Sequence, residues 1–284
     1  SFLATKFVWQ NDVLSLHLPQ LDASGIATRA KLFNKPSILT YHSDLLLPPS
    51  PFNNLATAAL TSRNNAARAL CDAISDYTED FARHSPYLSK YLHKVRVIPP
   101  PVDIPVPREA EVRAFVERYG LRGKTVIGLG GRLAEEKGVE YLLLALPRIV
   151  EKYPHTIIVH AGPHEAFGHS AYVRKLQPLL DQYRDRYVHV GTLDSAQMAA
   201  FFGACQVTAL PSINSTETFG LVQIESMLGG APVVASDLPG VRQPTAMTGM
   251  GRTVPIRDSA ALAEAILDVL DHREQYVRPR DSIA

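Results

Sequence analysis

Short β-prone runs alternate with longer helical stretches along nearly the whole chain. This alternation limits the fold more than any other feature. A strand, a helix and a second strand form a crossover, and repeated crossovers build a parallel sheet covered by helices. In the first part the candidate strands are Val13–Leu18, Ser37–Tyr41, Cys71–Ser75 and Val95–Ile98, with helical segments around Asn53–Leu70 and Glu79–Leu92. In the second part they are Thr125–Leu129, Thr156–His160, Tyr187–Val190, Gln206–Leu210 and Pro232–Ala235, with helices at Arg108–Tyr119 and Ala260–His272. Val139, Leu142, Leu143, Leu146, Ile149 and Val150 recur at helical spacing and should face a sheet, with Pro147 as a candidate kink.

Between the two parts stands IPPPVDIPVP, residues 98–107, with five prolines in ten positions. Such a stretch forms neither a helix nor an inner strand and reads as an extended linker. The expected layout is two α/β domains, residues 1–105 ending in this linker and residues 106–284. Ligands of such sheets bind beyond the carboxyl ends of the strands, so the loops that follow strands carry the chemistry.

Composition excludes several classes. The 29 Lys and Arg nearly cancel the 28 Asp and Glu, which removes the electrostatic case for nucleic acid as a main partner. Apolar residues make up 46%, enough for a sizeable core. The two cysteines, Cys71 and Cys205, lie in separate apolar runs and read as small buried residues of a reducing compartment. The ten histidines show no metal-ligand spacing, so no metal site is expected. No apolar run approaches the ~20 residues of a membrane span, and no signal peptide is visible. These readings place the protein in the cytoplasm, with association at a membrane surface compatible but unsupported by a basic amphipathic helix.

Three loops stand out. GLGGRLAEEKG, residues 128–138, combines glycines, Arg132, Lys137 and a helix start. It suits a diphosphate, which helix N-termini and cations attract. A dinucleotide reading fails, because the glycine spacing is wrong and the next strand ends in His160-Ala161-Gly162 instead of an acid. The bland alternative is a glycine turn with solvated charges. The second stretch, PSINSTETFGLVQIESMLGG, puts Glu217 and Glu225 eight residues apart around a helix start. Eight residues are a little over two turns, so the carboxylates can share a side. Beside an anion-binding helix end they suit sugar hydroxyls better than phosphate. The loops 160–165 and 189–194 are small enough at the strand ends to admit a flat ring, although tight turns explain them equally well. In the first part, His42 follows a strand end and could shuttle a proton or touch a phosphate or hydroxyl. His17 carries less weight, and Asp44 and Asp76 are candidate helix caps.

Taken together, these pieces resemble the family 4, or group 1, glycosyltransferases of the GT-B fold, built from two Rossmann-like domains. The matching residues are GGRLAEEKG (130–138), Glu217 and Glu225 with TFG (218–220) between them, TYHSD (40–44) and VIPPPVD (97–103). In the last of these, prolines replace the family's usual Asn-Gly. The resemblance implies transfer of a sugar from a nucleotide-diphosphate sugar, with retention, without a metal, and with no cofactor beyond the donor. It implies that Gly131, Arg132 and Lys137 bind the diphosphate and that Glu225 holds the ribose. Phe219 and Gly220 would touch the distal phosphate and sugar, and the base would lie near Gly162, Thr192 and Leu193. Glu217 and His42 would serve the transfer itself, His42 reaching over from the first domain. The acceptor, whether sugar, lipid or small molecule, stays open. Against the family pattern, the N-terminal acceptor-side domain reads as truncated, lacking an opening strand and glycine-rich loop. Other readings are a non-catalytic nucleotide-sugar-binding module and, on the same architecture, an epimerase or phosphorylase.

Overall fold

The computed structural model describes residues 2–44, 51–163 and 170–283. It divides into two compact units, residues 1–100 and 101–284, and the division falls within the proline run.

Unit 1 holds α1 (Phe2–Gln10), β1 (Leu14–Leu18), α2 (Ala23–Leu32), β2 (Ser37–Tyr41), α3 (Pro51–Leu70), β3 (Ala73–Asp76), α4 (Glu79–His84) and β4 (Val95–Val97). The strands form a parallel sheet in chain order, β1-β2-β3-β4. Along β1 burial alternates, with Leu14, Leu16 and Leu18 inside and His17 outside, as a period of two requires. Leu16, Leu18, Leu39, Ile74, Phe81 and Leu88 form its core.

The helix expected over Glu79–Leu92 is two pieces, α4 and a 3₁₀ segment at Ser89–Lys94. Ser85 breaks it with extended backbone (φ −67°, ψ 125°), because the following Pro86 disfavours the helical region for its predecessor. Thr78 caps α4, its hydroxyl accepting from the N–H of Phe81 at 3.0 Å. The caps expected of two acids are not seen. Asp44 is buried and accepts from the hydroxyls of Tyr41 (2.8 Å) and Ser85 (2.9 Å). Asp76 is fully buried, and among the described residues neither oxygen has a hydrogen bond of ordinary geometry.

Unit 2 holds α5 (Glu109–Arg118), β5 (Thr125–Gly130), α6 (Val139–Lys152), β6 (Thr156–Ala161), α7 (Ser170–Gln182), β7 (Tyr187–Gly191), α8 (Ser195–Ala204), β8 (Val207–Leu210), α9 (Leu221–Leu228), β9 (Val233–Ser236), α10 (Gln243–Thr248), β10 (Gly251–Val254), α11 (Ser259–Asp271) and α12 (Arg273–Tyr276). Its six-stranded parallel sheet has the order β10-β9-β8-β5-β6-β7. The strand period of two sends neighbouring residues to opposite cores. Ile127 and Ile158 join Leu142, Leu146 and Ile266 from α6 and α11 on one face. Val126, Ile157 and Val159 join Phe115, Phe201 and Phe202 from α5 and α8 on the other. A sheet covered on both faces explains why its central strands are continuously apolar. α6 runs through Pro147, whose ring is on the exposed side. Among the described residues no helix is long and apolar enough to cross a membrane.

Two outcomes follow for stability. Phe202 is fully buried between the helices and the sheet, so Phe202→Ala should lower unfolding free energy by ~3–5 kcal/mol in denaturant titration. Burial, with Asp44 adding to it and the N–H of Tyr77 opposing it, pushes the Asp76 carboxyl up to about 7 from 3.8. Between those values the folded chain holds a proton that the unfolded chain releases, so stability falls as pH rises through about 7. Asp76→Asn should therefore gain on the native chain by a few kcal/mol as pH is raised from about 5 to about 8, read by denaturant midpoints at each pH.

Candidate functional site

β5 and β8 are neighbours in the middle of the unit 2 sheet, and the chain leaves them in opposite directions. β6 and β7 extend the sheet on one side, β9 and β10 on the other. The crevice beyond the carboxyl ends at such a reversal is where ligands of open α/β sheets bind. Two loops rise there, 131–138 after β5 and 211–220 after β8.

Their backbones are held close together. Gly138 has φ +61° and both ends the 3₁₀ turn Glu135–Lys137 and starts α6. A Cβ there would lie 2.2 Å from the carbonyl oxygen of Pro211. The N–H of Ile213 donates to the carbonyl of Glu136 at 2.9 Å, fixing one loop on the other. This docking brings Lys137 Nζ to 2.5 Å from Glu217 Oε2, between side chains only 22% and 14% exposed. Ser212, fully buried, donates its hydroxyl to the same oxygen at 3.3 Å. Arg132 is exposed and donates to Glu136 at 2.7 Å. Each of the two expected cations therefore stands beside a carboxylate.

The neighbouring strand ends are fastened in the same way. Gly131 donates its N–H to the carbonyl of Ala161, and Gly162 to that of Gly191, both at 2.8 Å. Gly162 has φ +149°, and a Cβ there would lie 1.9 Å from the Gly131 carbonyl oxygen. Buried His160 places Nε2 2.7 Å from that same oxygen and Nδ1 2.5 Å from the Tyr187 hydroxyl. A carbonyl only accepts, so Nε2 carries the proton. His189 donates from Nε2 to the Gly162 carbonyl at 2.7 Å by the same reasoning. Thr192 and Leu193 follow β7, just before Asp194, which caps α8 in a capping box with Gln197.

Gly220 takes φ +75° and starts α9, behind buried Thr218 and Phe219. The helix is anchored by fully buried Gln223, which donates to the carbonyls of Phe219 (2.8 Å) and Val241 (2.9 Å). Half-buried Glu225 lies on the same helix. Its carboxylate has no hydrogen-bond or ion-pair partner among the described residues, and burial raises its pKa above the ordinary value.

In unit 1 a second polar group gathers at the ends of β1, β2 and β3. His42 Nε2 is 2.8 Å from His17 Nδ1, and His42 Nδ1 is 2.7 Å from the Tyr77 hydroxyl. Burial, and then neighbouring His17, hold the His42 imidazole below its ordinary pKa. No motif marks Ser212, His160, His189 or Tyr77. Their position one or two residues from a strand end was the available signal.

Comparison with known proteins adds the family. The model for group 1 glycosyl transferases matches residues 124–272, more than half of the chain. The chain belongs to that family. It is 37% identical over 164 residues to a phosphatidyl-myo-inositol mannosyltransferase of Mycobacterium leprae, covering 56% of this chain and 41% of that protein. A D-inositol 3-phosphate glycosyltransferase of Xylanimonas cellulosilytica is 34% identical over 186 residues, covering 62% of this chain and 42% of the relative. The chain thus spans less than half the length of these curated relatives. Among solved structures, HepE of Anabaena in complex with UDP superposes with a TM-score of 0.80 at 20% identity, over 100% of this chain and 76% of that one. Sucrose-phosphate synthase of Thermosynechococcus elongatus gives 0.77 at 23% identity, over 99% and 69%. These likenesses show the fold, the GT-B architecture of two parallel α/β sheets.

In this family member, Gly138→Ala should strain a left-handed residue and drive a methyl into Pro211. The expected result is a loss of roughly 2 kcal/mol or more in denaturant titration.

Proposed function

We propose that the chain carries the donor site of a retaining, metal-independent glycosyltransferase that moves a sugar from a nucleotide-diphosphate sugar to a hydroxyl-bearing acceptor. One observation carries the reading. At the sheet reversal a glycine-rich loop presents Lys137 against Glu217, and α9, the helix after the β8 loop, carries half-buried Glu225, whose carboxylate has no partner among the described residues.

The chemistry follows from charge. Departure of a nucleoside diphosphate builds negative charge, which Lys137, Arg132 and the N-terminus of α9 are suited to stabilise. An incoming diphosphate competes with Glu217 for Lys137 and leaves that carboxylate to the transferred sugar, where an oxocarbenium-like centre builds positive charge. Glu225 accepts from the ribose hydroxyls, which supply the partners it lacks. Gly131, Gly162, Thr192, Leu193, Phe219 and Gly220 complete the donor contacts through backbone and shape. His42, on unit 1, is assigned to the transfer step. The relatives named for mannosyl transfer to phosphatidyl-myo-inositol, and the HepE structures with UDP and UDP-glucose, support a nucleotide-sugar donor. A lipid or small-molecule acceptor, and work at a membrane surface, fit the same relatives.

Calorimetry with UDP, GDP and ADP is the first test. Lys137→Ala and Glu225→Ala should each weaken the preferred nucleotide about tenfold or more, ~1.4 kcal/mol, and unchanged affinity in both would remove the assignment. Glu217→Gln should lower turnover far more than nucleotide affinity, and binding without any transfer would favour a non-catalytic module. Because burial raises the Glu225 pKa, nucleotide affinity should fall on acidification earlier than an ordinary carboxylate would allow, and Glu225→Gln should flatten that pH dependence.

A further inference from the structure

Unit 1 buries an arginine that no carboxylate among the described residues pairs with. Arg68 lies on α3 with its side chain fully buried. Its guanidinium stacks 5.5 Å from the ring centroid of Tyr41 and 5.2 Å from that of Tyr87. It donates one hydrogen bond, from Nη2 to Asn65. Among the described residues its Nε has no hydrogen-bond partner, and neither has Oδ1 of buried Asn64, one turn earlier on the same helix. Among the described residues it forms no ion pair. Burial lowers its pKa, and the carboxylate of Asp44, already occupied by Tyr41 and Ser85, opposes that only from a distance.

Arg68 and Asn64 line one narrow pocket, together with Tyr41, Ser43, Thr61 and Tyr87. Its free space is ≈ 220 Å³ counted to the solvent mouth, and its inner part has room for about one water-sized group. A buried charge is costly unless it is paired, and a guanidinium fork matches the oxygens of phosphate and carboxylate. Hydroxyls around the mouth add donors, and the Asn64 amide offers an acceptor or, turned over, two donors.

We propose that this pocket is an oxyanion subsite that takes one oxygen of a phosphate or carboxylate against Arg68. It lies wholly within unit 1 and stands independently of the donor-site reading. A ligand oxygen there satisfies Nε and neutralises a charge that the fold otherwise leaves uncompensated.

The test is ¹⁵N NMR of the Arg68 Nε–H group in the full chain, titrated with inorganic phosphate against matched chloride. A saturating shift is expected. Thr61→Leu and Ser43→Val, which crowd the mouth without touching the charge, should each weaken saturation about tenfold or more while the Arg68 resonance persists. Arg68→Lys should abolish it in a chain whose backbone spectrum stays dispersed, since an ammonium lacks the fork. Tighter saturation by glycerol 3-phosphate assigns the site to a phosphate ester, tighter saturation by inorganic phosphate to the free ion, and by acetate to a carboxylate. A shift that merely follows ionic strength, or one unaffected by both mouth variants, overturns the proposal and leaves a water-filled crevice.

Discussion

The two loops at the sheet reversal meet because glycines stand where any side chain would intrude. Gly138 lets the β5 loop press on the Pro211 carbonyl, and Gly162 lets the β6 end press on the Gly131 carbonyl. Without that approach, Lys137 and Glu217 have no reason to share a space, since 80 positions of sequence separate them. The imidazole of His160 then fastens the Gly131 carbonyl from the side, and that of His189 fastens the Gly162 carbonyl. A site fixed by backbone contact and by short hydrogen bonds is preorganised, which is where electrostatic catalysis draws its strength.

The polar groups fall into two kinds. Lys137, Arg132 and Glu217 are paired within the protein, so a ligand there exchanges one partner for another. Glu225, Arg68 and Asp76 are wholly or partly buried and carry charge or proton affinity that the described residues do not satisfy. Groups of the second kind mark where a fold tolerates strain for function or for a proton. In unit 1, Arg68 and Asp76 resolve the conflict differently: a carboxyl can take up a proton near neutral pH, whereas a guanidinium keeps its charge.

Much of the architecture was legible in the chain. Central strands such as Thr125–Gly130 and Thr156–Ala161 are apolar runs bounded by turn residues, and α6 shows its buried face in Leu142, Leu146 and Ile149. What escaped has a physical cause. β10 reads Gly-Arg-Thr-Val and is an edge strand, so half of its residues face water and no apolar run announces it. α1 has exposed Phe2, Leu3, Phe7 and Trp9, so its apolar spacing does not point to one face. Glu79–Leu92 has continuous helical composition, and only the backbone demand of Pro86 divides it. Asp44 and Asp76 are residue types that cap helices, yet one accepts from two hydroxyls, nearby Tyr41 and distant Ser85, and the other from none among the described residues.

By itself the sequence determined the class of fold, the proline boundary region and which loops hold the cations and acids, because strand period, helix period and glycine content are local properties. Only the tertiary structure decided who touches whom: Lys137 with Glu217, His42 with His17 and Tyr77, Arg68 with two tyrosine rings. Those encounters depend on strand order, which places β8 beside β5 and not beside β7. Strand order is settled by the packing of two cores on opposite faces of one sheet, and no short stretch of chain encodes that.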